Sequence, residues 1–281
     1  MKIGDYNIYT IRTGNFRLDG GAMFGVVPKV LWQRLNPPDE SNRIQMCTKS
    51  LLLDNGKRKI IIDNGVGHKL SKKVNDIYAV DFSENTLEKS LSEIKIKREE
   101  ITDVILTHLH FDHAGGSTFY NDDKQIEVTF PNATHQVQKT HYEWALNPTD
   151  RDKASFFPND YNLLVDKKIL NFSDGETKID DVITLIPLNG HTRDMQIVKI
   201  SDGENTLLYA ADLIPMSSHV TLPYIMGYDL FPLITLEEKR MILTESVKGN
   251  WSIFFEHDPF TEFAKISFND KGFFVSERHT I

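Results

Sequence analysis

Between Thr107 and Ser117 the chain reads THLHFDHAGGS, which places His108, His110, Asp112 and His113 within six residues. Neutral imidazoles and a carboxylate are costly to bury side by side unless something satisfies them. A cation does so, because imidazole nitrogen and carboxylate oxygen are both metal donors. The preceding DVILT is apolar and β-prone, so it reads as a buried strand. Its C-terminal edge is where α/β sheets commonly present ligands. Along an extended segment side chains alternate with period two, so His108 and His110 point the same way. Asp112 and His113 then turn towards a neighbouring point, and Gly115-Gly116 is read as letting the backbone bend sharply. Such a loop suits two adjacent metal ions.

The elements that must hold this loop alternate between strands and helices. KSLLL and KIIID flank Asn55-Gly56, a hairpin signal. MQIVKI and NTLLYAAD flank Asp202-Gly203, and AKISF and GFFVSE flank the turn before Gly272. Leu87, Leu91 and Ile94 recur at helical spacing after a candidate cap at Ser83. Further helices are expected from about Asn132 to Trp144 and over Leu236 to Val247. Three stretches lack regular periodicity: residues 14–41, 147–162 and 215–232. Their aromatics, among them Phe24, Trp32, Tyr224 and Tyr228, either wall a substrate pocket or pin long loops to the core. The whole chain, residues 1–281, reads as a single α/β domain.

With 32 Lys and Arg against 40 Asp and Glu, the net charge is -8. That balance argues against nucleic acid as a partner and favours a small-molecule substrate. No apolar run is long enough for a membrane span. A lone cysteine, Cys47, and no secretory leader pattern point to the cytoplasm. Exposed loop aromatics could also serve a homodimer interface.

HLHFDH fits the His-x-His-x-Asp-His signature and resembles the metallo-β-lactamase superfamily. KIIIDNG with Asp63, LNGHT with His191, YAADL with Asp212 and FFEHDP with His257 resemble that family's further elements, in its order. The resemblance implies an αββα sandwich of two mixed β-sheets flanked by helices. It implies two divalent metal ions, zinc foremost and Fe, Mn or Co as alternatives. His108, His110 and His191 would hold one ion; Asp112, His113 and His257 would hold the other; Asp212 would bridge them. Asp63 would orient a ligand histidine. Of the remaining histidines, His68, His135, His141 and His279 read as surface or structural, and His219 as a candidate pocket residue.

The implied activity is hydrolysis, with a metal-bridged hydroxide attacking a small lactone or carboxylic ester and Asp112 and Asp212 closest to the chemistry. A phosphoric ester is the enzymatic alternative, and a non-catalytic metal-binding sensor is the alternative of another class. The layout is similar to the N-acyl homoserine lactonases and the organophosphate hydrolases related to them. Two departures stand out. Those lactonases carry a tyrosine three residues after the bridging aspartate, where this chain has Pro215. Thr192-Arg193-Asp194 replaces a common Thr-Pro-Gly.

Overall fold

The structure is a computed structural model describing residues 1–280. The chain folds into two compact units, the first formed by Met1–Phe16 and Thr48–Gly175, the second by Arg17–Cys47 and the described residues from Glu176 onward.

The first sheet has seven strands. They are β1 (Lys2–Ile3), β2 (Tyr6–Asp19), β3 (Arg43–Asp54), β4 (Lys59–Ile62) and β5 (Asp103–Ile105), followed, after a separate hairpin of β6 (Thr118–Tyr120) and β7 (Ile126–Val128), by β8 (Thr134–Gln138) and β9 (Leu170–Ser173). The sheet is mixed: β3 and β4 pair antiparallel, whereas β4, β5, β8 and β9 run parallel. The runs Leu51–Leu53 and Ile60–Ile62 are inaccessible to solvent on both faces, as expected of strands in a covered sheet. Asn55 accepts from the Arg58 amide and Gly56 takes φ +83°, which closes the hairpin expected there. On one face Leu52, Ile61, Val104 and Val137 pack with Leu87, Leu91, Ala145 and Leu164 from the covering helices.

All three expected helices differ at a boundary, and the one expected over Leu236 to Val247 runs from Pro232 to Lys248. The helix expected from Ser83 begins at Leu87, and Thr86 caps it by accepting from the Lys89 amide. Ser83 instead donates its amide to Asp81. The helix expected from Asn132 to Trp144 is a strand to Gln138 and a helix only over Lys139–Leu146. Parallel partners on both sides draw THQVQ into the sheet, and tertiary pairing outweighs its local preference.

The second sheet is also seven-stranded and mixed, in the order β10 (Thr177–Lys178), β11 (Ile183–Leu188), β12 (Met195–Ser201), β13 (Thr206–Tyr209), β14 (Ser252–Phe254), β15 (Phe263–Asn269) and β16 (Gly272–His279). Both hairpins expected here form, β12 with β13 and β15 with β16. The parallel pair β13 and β14 is joined through the helix Pro232–Lys248, which buries Ile242 and Leu243. Residues 14–41, expected to lack regular elements, hold the end of β2 and the short helices Gly20–Phe24 and Lys29–Trp32. No described helix is long and apolar enough to cross a membrane.

Candidate metal centre

In the first unit the donor loop leaves β5 and enters a one-turn helix, Phe111–Ala114. His108, His110, Asp112 and His113 are all buried. Asp63, at the end of β4, organises them. It accepts from the Thr107 amide and the Thr107 hydroxyl, both at 2.7 Å, and its Oδ2 lies 3.1 Å from His113 Nδ1. Asp63 adopts φ +57°, a left-handed conformation that non-glycine residues take at a cost of about 1–2 kcal/mol. With its hydrogen on Asp63, the Thr107 hydroxyl presents a lone pair to His108 Nδ1 at 3.0 Å. Both rings therefore carry the proton on Nδ1 and keep an Nε2 lone pair for a cation. His108 Nε2 and His110 Nδ1 face each other at 3.0 Å. Two donors on a tetrahedral zinc sit about 3.3 Å apart, so this pair is close to one edge of such a site.

Gly115 and Gly116 play a different part from the one expected. Neither takes positive φ; a Cβ on Gly115 would stand 2.0 Å from the Val66 carbonyl oxygen, and one on Gly116 would stand 2.2 Å from that of Asn64. They are glycines because the 64–67 loop lies against the donor helix, not because the chain bends.

In the second unit Asp212 follows Ala211, itself at φ +45°. Its two oxygens address two rings: Oδ2 lies 3.1 Å from His191 Nε2 and Oδ1 lies 3.2 Å from His257 Nε2. The far nitrogens are held too. His191 Nδ1 lies 2.8 Å from Asp229 and His257 Nδ1 lies 3.0 Å from the Cys47 carbonyl. Each acceptor fixes a proton on Nδ1 and leaves Nε2 for a metal, which is how histidine ligands are usually oriented. Donor type, tautomer and spacing thus fit divalent cations in both units. Burial raises the Asp229 carboxyl above its ordinary range, and its bond to His191 opposes that.

Asp229 and His141 are site residues that no sequence motif marks. His141 accepts from the Leu109 amide at 2.8 Å and so pins the donor loop between its first two histidines. Phe156 lies edge-on to His110, and Phe111 stacks on Tyr78. Of the expected pocket residues, Phe24, Trp32 and His219 form a buried stack in the second unit, and Tyr224 meets Phe24 edge-on. His219 Nε2 lies 2.9 Å from the Met23 carbonyl, and burial pushes the ring down to about 4. Tyr224 is half-buried and Tyr228 exposed. Pro215 is buried and its carbonyl accepts from the His257 amide. Exposed Arg193 lies over the Phe231 ring. Lys239 is wholly buried and donates to the carbonyls of Thr221, Leu222 and Tyr224, which shapes the turn carrying Tyr224.

Residues 48–244 match the family model described as metallo-beta-lactamase superfamily. A probable metal-dependent hydrolase from Staphylococcus aureus is similar over the full length of both chains, with 28% identity and a TM-score of 0.88. AidC, a dizinc quorum-quenching lactonase solved with a product, has 21% identity and a TM-score of 0.81, covering 100% of this chain and 97% of that one. The hydrolase AbOPH has 18% identity, the same coverage and a TM-score of 0.81. No curated protein matches the chain.

Proposed function

This chain belongs to the metallo-beta-lactamase superfamily, and from that premise we propose that it is a dinuclear metal-dependent hydrolase opening a small lactone or carboxylic ester. The reading is carried by Asp212, whose two oxygens each address a different histidine, as a carboxylate shared by two cations would. In this proposal His108, His110 and His191 serve one cation, Asp112, His113 and His257 the other, and Asp212 both. Imidazole and carboxylate donors suit zinc and also accept iron, manganese or cobalt. When bound, such cations lower the pKa of water towards neutrality and polarise the scissile carbonyl.

The protein's own groups do the positioning. Asp63 and Asp229 each hold a ligand ring in one tautomer and orientation. Burial of the donors keeps bulk water from competing for the charges. Phe156 and Phe111 supply apolar surface beside the donor loop, and Tyr224 or Tyr228 takes the place of the tyrosine missing at Pro215 in contacting the substrate oxygen. The lactone assignment draws support from the likeness to AidC. A cytoplasmic location is part of the proposal and accords with the single buried thiol of Cys47.

Metal-loaded protein offered an acyl lactone and a phosphotriester side by side, with a chelated control, tests the reading. Chelator-sensitive lactone opening, lost together with bound metal in His110→Ala, is the expected outcome. Phosphotriester cleavage alone would move the assignment to phosphoric esters. Inertness towards both would remove the substrate class.

A further inference from the structure

In the second unit His191 follows β11 after two loop residues, Asn189 and Gly190. That loop lies against the first turn of the helix Pro232–Lys248. The approach is close, since a Cβ on Gly190 would stand 2.5 Å from the Thr235 amide nitrogen. Leu188 is the last residue of β11 to pair, so the amides that follow need acceptors elsewhere. Glu238 supplies both. Its Oε1 accepts from the Asn189 amide at 2.6 Å and its Oε2 from the Gly190 amide at 3.0 Å. The carbonyls of the same loop are held as well: the Leu230 amide donates to His191 at 3.0 Å and the Phe231 amide to Gly190 at 2.9 Å. With Asp229 on the ring Nδ1, residues between 229 and 238 grip His191 at its ring, its carbonyl and the two amides before it. Glu238 is half-buried. Burial raises its carboxyl, and the two amides oppose that shift.

We infer that Glu238 is a positioning residue for the cation that His191 serves, an inference that rests on the reading of His191 as a metal ligand. A metal donor has to be held to within about 0.5 Å of its working geometry. A histidine ring is placed no better than the backbone that carries it. Asp229 fixes how the ring is turned, and Glu238 fixes the point from which the ring extends. A carboxylate suits that task, because its two oxygens accept two successive amides. Each bond is charge-assisted, and such bonds are roughly twice as strong as neutral ones. Glu238 acts through the loop and touches neither the ion nor the substrate. Its influence is therefore confined to the ion at His191, and the ion assigned to Asp112, His113 and His257 is independent of it.

Zinc affinity of Glu238→Ala, read by competition against a chromophoric chelator, provides the test. One of the two proposed ions should bind about tenfold more weakly and the other as in wild type. In a His191→Ala background the Glu238 substitution should have no further effect on affinity, because the residue it acts through is gone. A merely structural role would weaken both ions and persist in that background. Glu238→Gln keeps one acceptor oxygen and should fall between wild type and Glu238→Ala; it carries the same comparison if the alanine variant does not fold. In the metal-free protein, hydrogen exchange at the Asn189 and Gly190 amides should quicken about tenfold in Glu238→Ala, as expected for the loss of a bond to a charged group. A variant that holds both ions as tightly as wild type overturns the inference and leaves the hydrolase reading standing. A wild type that binds no divalent cation removes both.

Discussion

His191 illustrates what one residue needs from its neighbours. Its Nε2 lies towards Asp212 because Asp229, 38 residues further along the chain, holds its Nδ1. Removing the charge of that acceptor should loosen the ring without removing a donor. Asp229→Asn is therefore expected to weaken metal binding about 10- to 100-fold, read by competition against a chromophoric chelator. Wild-type affinity in that variant would mean that Asp229 does not orient His191. The donors themselves are legible in sequence because His108, His110, Asp112 and His113 are near neighbours with alternating direction. Asp229 is not, since a lone aspartate after a tyrosine carries no local signal. His141 is hidden for the same reason: its bond to the Leu109 amide exists only once the sheet has formed.

At the level of elements, turn chemistry makes the hairpins readable, while long-range pairing hides the strand at Thr134–Gln138. A second hidden device ties the donor helix to its neighbours. Lys69 donates to the carbonyls of Gly115 and Thr118 and pairs with Asp160 at 3.0 Å, with both side chains about 95% buried. Burial pulls the lysine down and pushes the carboxyl up, and each partner opposes the shift of the other. Removing one member of a buried pair strands the other charge. Lys69→Met should cost about 3–5 kcal/mol of unfolding free energy, measured by urea denaturation. The double variant Lys69→Met, Asp160→Asn should recover part of that loss. If the single variant matches wild type, Lys69 is not the tie proposed here.

Across the whole molecule, each unit hides a neutral histidine: His135 in the first and His219 in the second. Burial pushes both down to about 4, against an ordinary value of 6.5. Neither histidine can be placed from sequence, because neither sits in a pattern that reports burial. The consequence for acid stability follows from proton counting. Between pH 6.5 and 4 the unfolded chain binds protons at these two positions that the folded chain refuses. Stability therefore rises with pH across that window and is lost as pH falls through it, by at most about 3 kcal/mol per histidine. Below pH 4 the folded rings protonate as well and the loss stops growing. Carboxylates also bind protons as the pH falls towards 4, so the slope of the wild type alone does not isolate the effect. His135→Leu leaves the donors in place and removes one of the two groups. Urea unfolding at about pH 7, 5.5 and 4.5 should show the variant losing less stability than wild type on acidification. Parallel losses would mean that the His135 ring takes up its proton in the fold as readily as in the unfolded chain, and that water reaches it there.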